Sequence, residues 1–140
     1  MIKAFLLVVI LLKMSMFASD DKYTLKLYEK VIPLVLSSKH INIYTDKKIK
    51  QLFKYSHLFT VVSECKKADI VIGSKFEYHK DIKCIKQKPL FATSYPSYID
   101  NENSFGAFYW RKGRPQLRLN KKGIKRYNFM IPDSLERFAK

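Results

Sequence analysis

Cys65-Lys66-Lys67-Ala68-Asp69-Ile70-Val71-Ile72-Gly73 is the stretch on which the fold turns. A continuous apolar run closing on a glycine, with no polar alternation, is the pattern of a strand covered on both faces in a parallel sheet. Pro89-Leu90-Phe91-Ala92-Thr93 repeats it, and Ile41-Asn42-Ile43-Tyr44 and Leu58 to Val62 read as two further short strands upstream. Helical patterns separate them. Between Tyr23 and Leu36 the apolar positions Leu25, Leu27, Tyr28, Val31, Ile32, Leu34 and Val35 fall mostly at spacings of three and four, and Pro33 is expected to kink that helix or end it a turn early. Asp46 is placed to cap a helix from Lys47 to Tyr55, with Ile49, Leu52 and Phe53 on its apolar face. Ser74 to Lys83 reads as a turn with a short helix. Ser94 to Ser104 reads as a polar loop around Tyr95 and Pro96, suited to facing a ligand or a partner.

The last third changes pattern. Phe105 to Trp110 and Pro115 to Leu119 form a hairpin through Arg111-Lys112-Gly113-Arg114. Asn120 is placed to cap Lys121 to Tyr127, and Asp133-Ser134-Leu135-Glu136 fits a capping box opening a helix from Ser134 to Ala139. Strand–helix alternation followed by a late hairpin predicts a single three-layer α/β domain. Its sheet is mostly parallel, with a C-terminal β-hairpin followed by short helices.

A chain of 140 residues holds one such domain and excludes a multi-domain enzyme. Hydrophobic residues at 47% and aromatics at 14% supply a core. The charge is lopsided: 27 Lys+Arg stand against 12 Asp+Glu, a net of +15. That favours contact with anionic lipid head groups, acidic protein surfaces or polyanions. A solvated lysine-rich surface is the other reading.

Met1 to Ser19 has the three-part grammar of a secretory signal peptide: Lys3, the apolar run Ala4 to Leu12, then the small residues Ala18 and Ser19. Nine apolar residues fall short of the ~20 needed to span a bilayer as a helix. An uncleaved anchor extending through Phe17 is the alternative. The expected organisation is a signal peptide over 1–18 and a periplasmic α/β domain over 19–140, which makes nucleic acid an unexpected partner. Cys65 and Cys84 are the only cysteines. An even number in an oxidising compartment predicts a disulfide, which would lie where the chain enters two neighbouring strands. A redox-sensing bond or a thiol pair for a metal is the sharper alternative.

No catalytic motif accompanies these features. His40, His57 and His79 are scattered, and G-x-S-x-G, G-x-x-x-x-G-K-[ST], G-x-G-x-x-G and H-E-x-x-H are missing from the sequence. Neither a cofactor nor a metal is expected. One patch stands out: Trp110, Arg111, Lys112, Arg114 and Arg118 place the only tryptophan beside the densest arginine cluster. Arginine with aromatic side chains suits anion capture or a protein hot spot. The alternative is a tryptophan packed on the sheet beside a solvated turn.

Phe105-Gly106-Ala107-Phe108, the basic Gly turn, Gln116-Leu117-Arg118-Leu119-Asn120 and Leu135-Glu136-Arg137-Phe138-Ala139 together resemble the end of YfiR-like periplasmic proteins. Cys65 with Ala68 to Gly73, and Leu90 to Thr93, fall where that family has a Cys-led strand and its next core strand. The resemblance spans Cys65 to Lys140 and is clearest after Phe105. Leu119 stands where the family has Ile, and Gly106 is single where the family often has a pair. The resemblance implies a small exported α/β protein without catalytic activity, which restrains a membrane-anchored signalling enzyme by binding its periplasmic sensor domain. Control linked to envelope redox state or to bound small molecules is implied as well.

The leading expectation is therefore a non-catalytic regulatory protein. It would bind the periplasmic domain of an inner-membrane sensor of diguanylate cyclase or histidine kinase type through the basic hairpin, with Tyr95 adding contacts. The second is a small periplasmic solute-binding protein that takes an anionic metabolite near Gly73-Ser74 and Thr93-Ser94, since open α/β sheets bind ligands beyond strand C-terminal ends.

Overall fold

In a computed structural model that describes residues 21–76 and 80–140, the run Ile70–Gly73 is a strand buried along its whole length. The expected signal peptide lies outside the described residues, as does His79. The chain forms α1 (residues 21–36), β1 (Ile41–Thr45), α2 (Lys47–Lys50), β2 (Phe59–Val61), β3 (Ile70–Gly73), α3 (Ile82–Gln87) and β4 (Leu90–Ala92). After these come α4 (Tyr95–Asp100), β5 (Ser104–Arg111), β6 (Arg114–Leu119) and α5 (Lys121–Arg126). Short 3-10 turns cover Gln51–Phe53, Cys65–Lys67 and Asp133–Phe138.

The six strands make one sheet in the order β2-β1-β3-β4-β5-β6, parallel throughout except for the β5–β6 hairpin. Alternation along the buried strands sends side chains to two separate cores. Ile41, Ile43, Ile70, Ile72 and Phe91 meet Tyr28, Val31, Ile32 and Val35 of α1 on one face. Tyr44, Val71 and Leu90 meet Ala68, Ile85 and Cys65 on the other. Helices thus cover both faces of the sheet, and the chain is a single α/β domain of the expected class. A doubly covered parallel sheet needs strands without polar alternation, which is why this pattern was visible in the sequence.

Cys65, in the turn before β3, and Cys84, in α3 before β4, form a disulfide with Cα atoms 6.2 Å apart. Val71 pairs with Leu90, so the bond ties together the two segments that lead into adjacent strands. The hairpin turn places Lys112 at φ 51° and Gly113 at φ 74°. Two consecutive positive φ values mark the primed turn whose twist matches that of the flanking strands.

Four local expectations need correction. Of the two outcomes expected at Pro33, a kink or an early end, the early end does not occur, and the first helix continues through residue 36. Proline removes only one backbone donor, and the buried pair Ile32 and Val35 holds this last turn against the sheet. The turn ends where Ser37 takes φ 53° and the Ser38 N–H donates to the Pro33 carbonyl. Ser94 to Ser104 is not a loop throughout, since it contains α4, capped by Ser94 Oγ accepting from the Ser97 N–H at 3.3 Å. Within the described part of Ser74 to Lys83, the expected short helix begins only at Ile82, and residues 77–79 lie outside the described residues. Asp133 caps nothing: the segment opens at Pro132 as a 3-10 turn without a side-chain cap, and Glu136 faces Lys121 at 3.7 Å instead.

Candidate functional site

Because β1, β3 and β4 run parallel, their C-terminal ends share one edge of the sheet. β1 has β2 on one side and β3 on the other, so the order reverses here, the place where open α/β sheets form a crevice. Asp46 follows β1, Ser74 follows β3 and Thr93 follows β4.

Asp46 is buried, and its carboxylate is fully engaged. Oδ1 accepts from the Ile49 N–H at 3.0 Å, which caps α2, while Oδ2 accepts from the Ser74 N–H at 2.9 Å and the Lys75 N–H at 3.5 Å. Gly73 makes this approach possible. It sits at φ 152°, and a Cβ there would lie 2.7 Å from Asp46 Oδ2 and 2.6 Å from the Phe76 ring. Next to this knot the hydroxyls of Ser74 and Thr93 lie 2.8 Å apart, and Ser74 Oγ also accepts from the Thr93 N–H at 3.0 Å. Beyond them opens a cleft of about 550 Å³ floored by Phe76, Ile85 and Leu90, with Lys48, Lys75 and Lys86 around it.

The second candidate region is the hairpin, and the pleat divides it. Phe108 and Trp110 point to the α1 face. Trp110 Nε1–H donates to Thr24 Oγ1 at 3.4 Å, and its ring meets Phe108 edge-on and lies 5.9 Å from Tyr23. Trp110 therefore fastens the start of α1 to the hairpin while keeping 41% of its surface exposed. Tyr109 and Arg111 point the other way, opposite Gln116 and Arg114 in register, with Arg118 on the same side. Arg118 Nε–H donates to Tyr109 Oη at 3.3 Å, and its guanidinium lies 5.9 Å from the Tyr95 ring centroid on α4. The bond to Tyr109 raises the Arg118 pKa further, while burial pushes Tyr98 up despite the Arg118 charge that pulls it down.

Of the residues singled out in the sequence, Arg111, Arg114, Arg118 and Tyr95 thus share one face, and Trp110 lies across the sheet from them. Among the described residues, no group of three or more His, Cys, Asp or Glu is placed to hold a metal ion, and no helix is long and apolar enough to cross a membrane. Sequence reasoning found Ser74 and Thr93 from their places after buried strands. It missed Lys48, Lys75 and Lys86, because no local signal sets these apart from the other lysines. No family model, curated protein or solved structure matches the chain.

Proposed function

We propose that this protein is an exported, non-catalytic regulator that binds the extracytoplasmic domain of an inner-membrane signalling protein of diguanylate cyclase or histidine kinase type. The observation that carries the reading is the alignment of Arg111, Arg114 and Arg118 on one side of the hairpin, beside Tyr95 and Tyr109. Arginine and tyrosine dominate protein hot spots because they give large contact areas and directed hydrogen bonds. An acidic partner surface would complement the net charge of +15 and speed association. The disulfide fits an oxidising compartment. The likeness of the C-terminal half to YfiR-like proteins supports the same assignment.

The test is a pull-down of the tagged chain lacking residues 1–18 from detergent-solubilised membranes, with and without reductant, read by mass spectrometry. Enrichment of one inner-membrane sensor is the expected result. Recovery of no specific membrane protein in either condition would overturn the reading.

A further inference from the structure

We infer that the cleft beyond β3 and β4 is a binding site for a small organic anion, a carboxylate or phosphate carried on a short apolar body. The inference rests on the cleft alone and stands whether or not the hairpin binds a partner.

Three observations converge on this ligand class. The first is proton count. Ser74 and Thr93 together carry two hydroxyl hydrogens, and the 2.8 Å contact between the oxygens uses one. Ser74 Oγ already accepts the Thr93 N–H, so whichever hydroxyl donates within the pair, one hydroxyl hydrogen has no acceptor among the described residues. Both residues line the cleft, so an incoming oxygen would complete the set.

The second is charge. Lys48, Lys75 and Lys86 line the cleft, and none has an ion-pair partner among the described residues. Two carboxylates border it as well, Asp46 and Asp100. The oxygens of Asp46 are turned to three backbone N–H groups, and the three lysines outnumber the two carboxylates. A desolvated anion meeting lysine and hydroxyl donors forms charge-assisted hydrogen bonds, roughly twice as strong as neutral ones.

The third is shape. About 550 Å³ lies within the range of small-molecule sites, and Phe76, Ile85 and Leu90 give the floor an apolar patch that inorganic phosphate could not use. Through Asp46 and Lys48 the cleft also reaches the crevice between β1 and β3 where strand order reverses.

The test is a two-dimensional ¹H–¹⁵N NMR titration of the chain lacking residues 1–18, disulfide intact, at physiological salt. Phenyl phosphate, phenylacetate and inorganic phosphate serve as probes. Saturable shifts at Ser74, Lys75, Thr93 and Ser94 with an organic anion are expected, and the tighter of the two organic probes identifies phosphate or carboxylate as the head group. Affinity should fall about tenfold in Lys75→Gln/Lys86→Gln, the loss of one charge-assisted bond or more. It should persist in Lys54→Gln/Lys125→Gln, which removes equal charge elsewhere. All four lysines are exposed, so both variants retain the fold. Absence of saturable shifts at millimolar probe would overturn the inference. So would equal binding by inorganic phosphate, which marks an adventitious ion only, or equal weakening in both double variants, which marks a response to net charge alone.

Discussion

Asp46 Oδ2 accepts the Ser74 N–H at 2.9 Å, so one buried carboxylate joins the end of β1 to the end of β3. Its other oxygen caps α2 through Ile49. The residue therefore fixes the crevice and starts a helix at once. Asp46→Ala removes the cap and leaves buried donors without an acceptor. Cap loss costs about 1 kcal/mol and each orphaned donor about 1–3 kcal/mol, so a destabilisation of about 2–4 kcal/mol is expected. Urea unfolding followed by circular dichroism measures it. Asp46→Asn keeps one acceptor oxygen and should lose less. Equal midpoints for wild type and Asp46→Ala would refute this role.

Much of this arrangement is legible in the residues themselves, and the illegible parts share a cause. Ile70 to Gly73 and Leu90 to Ala92 announce buried parallel strands because both their faces are covered. Asp46 and Asn120 announce caps because each holds the acceptor at the required offset. Ser94 carried the same signal, with Pro96 in the first turn, but the polar residues after it concealed α4. The division of the hairpin between Trp110 and the arginines follows from strand alternation. What packs on each face depends on α1 and α4, which lie far away in sequence. The three lysines of the cleft come from separate segments, and only the topology assembles them.

The Cys65–Cys84 bond closes a loop with a sequence separation of 19 and holds α3 beside the turn that precedes β3. On loop entropy, its removal costs about 3 kcal/mol. The double variant Cys65→Ala/Cys84→Ala should therefore unfold at clearly lower urea, and wild type in reductant should follow it. An unchanged midpoint in both would mean that the bond contributes nothing to stability.

Charge reversal at the hairpin separates binding from folding. Arg111 and Arg114 face each other across the β5–β6 end and are both exposed. Surface substitutions of this kind shift stability by about 0.5 kcal/mol or less. Arg111→Glu/Arg114→Glu should keep the wild-type melting temperature while reducing affinity for the recovered partner at least tenfold, chiefly through slower association at low salt. Biolayer interferometry at two salt concentrations reads both effects. Wild-type affinity in the folded variant would remove the hairpin from the interface.

Tyr28 gives the fold an alkaline limit. The residue is 1% exposed, and its ring packs against Phe53, Phe91 and Phe108. Burial pushes its phenol far above the usual tyrosine range, and the Asp46 charge adds to the rise. A folded-state pKa above the unfolded one means that the native state keeps a proton the unfolded chain gives up. The stability tied to that proton is complete below about pH 10, the unfolded value, and is lost progressively as pH rises above it. The loss approaches about 1.4 kcal/mol per pH unit for this one group. Tyr44, Tyr98 and Tyr127 are raised in the same direction, with burial as the largest cause in each, and they keep some alkaline loss in any single variant. Tyr28→Phe retains the aromatic packing and removes the titrating group, so its unfolding free energy should fall less steeply than that of wild type above about pH 10. Urea titrations at a series of alkaline pH values give both slopes. Parallel curves would show that Tyr28 does not set the limit.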